Sequence, residues 1–257
     1  MAILNVTPDS FSDGGQHLDP ARAIAAGLRF AEEGADIVDI GGESTKPGSR
    51  PTPVEEELDR VLPVVEALVA KGVVVSVDTR RAAIARPCLD VGARIVNDTS
   101  ALRDDPNLLT LVAERGVPVV LMHRRGISED KYEGAIYGDV VEDVRHFLRE
   151  RVAACLAAGI ARDRIALDPG IGFGKTPQEN LRLIAHAGRF AEEGHAVVVG
   201  SSRKGFIGRL TGEKVPARRD PASVWLAVEA ARHGASIVRV HDVAGTRQAL
   251  AISAAMR

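Results

Sequence analysis

The chain has 257 residues, 45% of them hydrophobic and 26% charged, which supplies a buried core and excludes disorder or low complexity. Its 33 Lys plus Arg against 35 Asp plus Glu leave a net charge of −2, which argues against a broad nucleic-acid or membrane surface, so any anion site must be local. Cys88 and Cys155 lie in helical patterns with no Cys or His at metal spacing, and the start MAILNVTPDSF has no charged n-region; buried thiols, no membrane span and a cytoplasmic location are the expectation.

Apolar runs recur along the whole chain: AILNV, ADIVDI, VVVSVD, RIVND, VPVVLMH, RIALD, AVVVG and SIVRVH. They are rich in Val and Ile and do not alternate cleanly, as expected of parallel strands covered on both faces. Helical punctuation lies between them. Asp19-Pro20 opens a helix with Ile24, Gly27, Leu28 and Ala31 on one face and Gly34 as its stop. Thr52-Pro53 with Glu55 predicts a capping box, and Thr176-Pro177 with Glu179 repeats it. Further apolar faces follow at Val144, Leu148, Val152 and Leu156, and at Val224, Val228 and Ala231 after Asp220-Pro221. This alternation predicts an α/β fold, a single (β/α)8 TIM barrel over residues 1–257. A doubly wound open sheet is the alternative.

Barrel enzymes build their sites at the C-terminal ends of the strands. Here those ends are Asn5, Asp39 with Gly41, Asp78, Asn97 with Asp98, His123, Asp168, Gly200 with Ser201, and Arg239 with His241. Ordinary turn chemistry explains some of these polar ends. Asp78, Asn97 and Asp168 at one mouth call for more, because carboxylates among apolar walls are costly without donors; a ligand rich in N–H groups is expected. GIGFGKT is one residue short of a phosphate loop, and neither a dinucleotide fingerprint, a zinc helix nor a nucleophile elbow occurs.

Read with their loops, the strand ends resemble dihydropteroate synthase. The likeness is carried by LNVTPDSFSDGG, DIGGESTKPG, SVDTR, NDTSA, LMH, LDPGIGFGKT, SSRKGFIG and RVHDV, in order and each at a strand end. It implies condensation of 6-hydroxymethyl-7,8-dihydropterin diphosphate with 4-aminobenzoate and release of diphosphate. Asp78, Asn97 and Asp168 would then accept from the pterin edge, with Lys204 reaching its carbonyl side. Asn5, Arg239 and His241 would face the diphosphate, with Asn5 as a ligand of Mg²⁺, an ion that needs few protein oxygens when phosphates supply the rest. Ser202 would meet the carboxylate of 4-aminobenzoate, Arg203 would pack on the pterin ring, and Phe173 would pack at the site. The loops holding Thr7 to Phe11 and Thr45 to Gly48, Lys46 included, would close over it.

An arylamine is already nucleophilic, so no general base is required and electrostatics would carry the reaction. The chain departs from the family's usual residues at Lys46, Arg124 and Gly205, which bears on loop closure rather than on the pterin acceptors. The family likeness further implies a homodimer. Rival functions are a methyltransferase of the same superfamily, acting on methyltetrahydrofolate with a corrinoid protein, and a pterin-binding scaffold without activity.

Overall fold

The computed structural model describes residues 1–7, 19–43, 52–125 and 137–256. Every predicted strand forms. They are β1 (Ala2–Asn5), β2 (Val38–Gly41), β3 (Val75–Asp78), β4 (Ile95–Asp98), β5 (Val119–Met122), β6 (Ile165–Asp168), β7 (Ala196–Val199) and β8 (Ile237–Val238). All pair in parallel and in chain order. The sheet closes on itself: Ala2 bridges Val240, with Ile3 N–H donating to Val240 O at 2.9 Å and Val240 N–H to Met1 O at 3.0 Å. That closure rules out the open doubly wound sheet and gives the barrel.

The helices cover the outside of the barrel as α1 (Pro20–Glu32), α2 (Val54–Ala70), α3 (Ala82–Asp90), α4 (Pro106–Arg115), α5 (Val140–Ala157), α6 (Pro177–Ala185), the short α7 (Gly188–Ala191) and α8 (Gly205–Thr211), then α9 (Asp220–Arg232) and α10 (Val243–Ala255). They bury Val and Leu stripes such as Val144, Leu148 and Val152 of α5 against strands whose side chains are almost wholly buried. Strand residues thus have apolar neighbours on both faces, which is why their sequences do not alternate.

One helix start differs from the sequence expectation. The Thr176 capping box forms, with both reciprocal bonds to Glu179. The Thr52 box does not: the cap position falls on Pro53, which has no side-chain acceptor, and the Thr52 carbonyl instead accepts from Arg81 Nη1 at 2.6 Å. At α9 the first helical residue is Asp220 itself, whose carboxylate pairs with Arg203 instead of capping. Cys88 and Cys155 are buried and unpaired, as expected. No helix among the described residues is long and apolar enough to cross a membrane.

Candidate active site

Parallel register sets the predicted residues side by side, since Asp78 stands opposite Gly41 on one flank and Asn97 on the other, and Met122 opposite Asp168. Together with Thr99, Ile171, Phe173, Gly200, Lys204 and Arg239, the residues Asp78, Asn97, Met122 and Asp168 line one cleft of about 400 Å³, open solvent included. Six of the sequence-predicted residues therefore meet at one mouth of the barrel: Asp78, Asn97, Asp168, Phe173, Lys204 and Arg239.

The floor is an ionic network. Arg239 donates from Nε to Asp39 Oδ2 at 2.6 Å and from Nη2 to Asp78 Oδ2 at 2.7 Å. Asn97 Nδ2 donates to the same Asp39 oxygen at 2.8 Å. Burial pushes the Asp78 carboxyl up to about 7, against the pull of Arg239. Asp168 is likewise raised by burial, opposed by the Gly170 N–H bound to its Oδ1 at 2.6 Å and by Lys204, Arg239 and Lys175. Buried carboxylates in a cleft are what a ligand offering N–H groups would stabilise.

Around this floor, Lys204 places its Nζ 4.2 Å from the centroid of the Phe173 ring, on the loop that follows β6. Ser202 and His241 sit next to one another, Oγ to Nδ1 at 2.9 Å, and burial together with the charges of Arg203, Arg239 and Lys204 lowers His241 to about 3. Asn5 is exposed at the end of β1.

Arg203 has a partner that the sequence did not show. Its guanidinium is held by the Asp220 carboxylate at 2.6 and 2.7 Å, and its backbone N–H donates to Ser223 Oγ at 2.9 Å. Its backbone there is left-handed, with φ 58°. Thr45, Lys46 and Arg50, with Pro8 to Phe11, lie outside the described residues. Arg124, a departure from the family pattern, pairs with Asp104, which also holds Arg80; Arg80 in turn pairs with Glu43 at 2.6 Å. Its charge is thus spent on tying loops at the barrel mouth together.

Sequence reasoning left two supporting groups without a role, with Asp39 read only as a strand end. Asp39 is wholly buried beneath Arg239. Lys175, the lysine of the discarded phosphate-loop likeness, is also buried, its Nζ 2.8 Å from Gly170 O, 3.0 Å from Phe173 O and 3.0 Å from His123 Nδ1. It clamps a tight loop: Gly170 has φ 70°, and a Cβ there would run into the His123 carbonyl. Asp39 stands two residues before Gly41 on one strand and so shares its face, and that register could have marked Asp39 as inward. Nothing in the sequence marked Lys175.

Comparison with known proteins agrees with this geometry. The family profile described as pterin binding enzyme matches residues 1–241. A dihydropteroate synthase of Mycobacterium leprae (strain TN) is 46% identical over 98% of this chain and 91% of its own length. Among solved structures, a Xanthomonas albilineans dihydropteroate synthase with 4-aminobenzoic acid is 50% identical and superposes with a TM-score of 0.93, covering 99% of this chain and 91% of that one. The enzyme of the same organism in complex with 7,8-dihydropteroate gives 48% identity and a TM-score of 0.90 over 99% and 92% of the two chains. On sequence, fold and cleft alike, this chain belongs to the dihydropteroate synthase family of pterin-binding enzymes.

Proposed function

We infer that this protein joins 6-hydroxymethyl-7,8-dihydropterin diphosphate to 4-aminobenzoate, giving 7,8-dihydropteroate and diphosphate. One observation carries this for the chain itself: Asp78, Asn97 and Asp168 converge with Lys204 in a single cleft. A pterin's aminopyrimidinone edge offers N–H donors and one carbonyl, and these acceptors with one ammonium are its complement. In the reaction the bond from the methylene carbon to the diphosphate oxygen breaks, and its electron pair leaves with the diphosphate. The amine nitrogen then bonds to that carbon and gives up a proton to solvent. Asp78 and Asp168 stabilise positive charge on the pterin as it develops, while Arg239 and His241 face the leaving group.

Ser202 would meet the carboxylate of 4-aminobenzoate. Mg²⁺ fits the donor set in one respect: Asn5 offers a hard amide oxygen at the exposed end of β1, and no cluster of three His, Cys, Asp or Glu among the described residues competes for the ion. Such an ion, completed by phosphate oxygens and water, would supply charge neutralisation of the diphosphate. The homodimer is supported by exposed Trp225 on α9 and Ile252 and Met256 on and just after α10, apolar side chains on two helices that pack together. Buried unpaired Cys88 and Cys155 suit the reducing cytoplasm.

The deciding assay is diphosphate release from the dihydropterin substrate, with and without 4-aminobenzoate and with and without Mg²⁺. Release that requires 4-aminobenzoate is expected. Binding of the pterin with no turnover would point to the scaffold role instead. Light scattering on the purified protein tests the dimer, which a monomeric mass would exclude.

A further inference from the structure

We propose that Asp39 is a positioning residue that sets which way the Asn97 amide presents itself to the pterin and which way Arg239 points its guanidinium. This rests on the pterin-binding function above. Asp39 sits on β2 with no exposed surface, so it can touch no substrate directly. Its Oδ2 takes two hydrogen bonds, from Asn97 Nδ2 at 2.8 Å and from Arg239 Nε at 2.6 Å.

A carboxylate only accepts, so the NH₂ of Asn97 must face Asp39 and its Oδ1 must face away. Asn97 lines the cleft, and its free end there is therefore an acceptor, like Asp78 and Asp168. With an alkyl side chain at position 39, nothing fixes which end of Asn97 turns inward, and the cleft would lose its fixed demand for a donor. The second bond acts on the diphosphate side. Asp39 and Asp78 grip Nε and Nη2 of Arg239, and Nη1 is left without a protein acceptor among the described residues. One buried carboxylate thus orients a residue of the pterin edge and a residue facing the leaving group.

The test is Asp39→Leu, which keeps most of the volume and removes the acceptor; an asparagine would not serve, because its single oxygen can still meet both donors. Two ligands without diphosphate serve as probes, 6-hydroxymethylpterin, with a donor amino group at its 2-position, and 6-hydroxymethyllumazine, with an oxygen there. Wild-type protein should prefer the pterin, and Asp39→Leu should reduce that preference by about tenfold, the worth of one mispaired hydrogen bond. A role confined to folding would weaken both ligands alike and leave the ratio unchanged, and that result overturns the proposal. Should Asp39→Leu fail to fold, the Arg239 Nε–H resonance of the wild type decides: protection from solvent exchange supports the grip, and exchange as fast as in exposed arginines refutes it. A wild type without preference for the pterin would overturn the pterin-binding function itself and this role with it.

Discussion

Lys204 holds its ammonium 4.2 Å above the centroid of the Phe173 ring, joining the loop after β7 to the loop after β6. A cation on an aromatic face gains about 0.5 to 2 kcal/mol, more as water is excluded. Phe173→Leu keeps apolar volume and removes the ring's negative face. We expect it to raise the KM for the dihydropterin substrate by roughly threefold to tenfold, with Phe173→Tyr near wild type. Equal KM values for wild type and Phe173→Leu in steady-state kinetics would show that Lys204 needs no ring to hold it.

Asp78 gives a pH dependence with a definite sign. Burial pushes its carboxyl up to about 7, with Arg239 opposing. Below that pH the group is protonated and loses acceptor capacity toward the pterin and Arg239. Affinity for a pterin without diphosphate should therefore fall as pH drops from about 7, by at most about tenfold per pH unit, and level off above it. Asp78→Asn should bind weakly and without that slope. Calorimetric titration across the neutral range checks this, and a flat wild-type profile counts against it.

Lys175 yields a stability prediction. Burial pulls its ammonium down to about 7, opposed by Asp168 and Glu179. An unfolded lysine titrates near ~10.4, so between the two values the unfolded chain carries a proton that the folded one lacks. Stability should then rise with pH across that window, by up to about 1.4 kcal/mol per unit, a gain absent below it. Lys175→Met lacks this slope and also leaves Gly170 O and Phe173 O without their clamp. Its deficit relative to wild type, followed by denaturant unfolding, should widen from neutral to alkaline pH. Parallel curves would mean that Lys175 stays charged in the fold.

How far the sequence foretold this site depends on the distance between partners. Asp78, Asn97, Asp168 and Arg239 could be placed because each ends an apolar run, and barrel closure brings such ends together whatever the loops do. The Thr176 cap was legible because both of its bonds lie within one turn. Thr52 misled because the same local pattern lost to a distant partner, Arg81. Asp39 was visible as a strand end, but its role depends on Arg239, 200 positions away. The Arg203–Asp220 pair was not legible, because motif order reports neither a left-handed φ nor a partner 17 positions away. Lys175 stayed hidden because buried lysines are rare and only the folded loop shows why this one is tolerated.

Ser202 and His241 give the last prediction. The backbone N–H of His241 donates to Ser202 Oγ at 3.2 Å, and the same Oγ lies 2.9 Å from His241 Nδ1. With one lone pair of the hydroxyl occupied, a hydroxyl hydrogen donated to Nδ1 would place the ring proton on Nε2. Burial and nearby cations keep the ring neutral, down to about 3, so His241 would meet the leaving group as a neutral N–H donor. Ser202→Ala frees the ring to take the other tautomer, and the cost should be about 1 kcal/mol, a net hydrogen bond. We expect it to appear as a fewfold higher KM for the diphosphate substrate and no new pH dependence above about 5, since the ring is neutral there either way. A defect confined to the KM for 4-aminobenzoate would assign Ser202 to that substrate's carboxylate alone and leave the His241 tautomer to be set by another group.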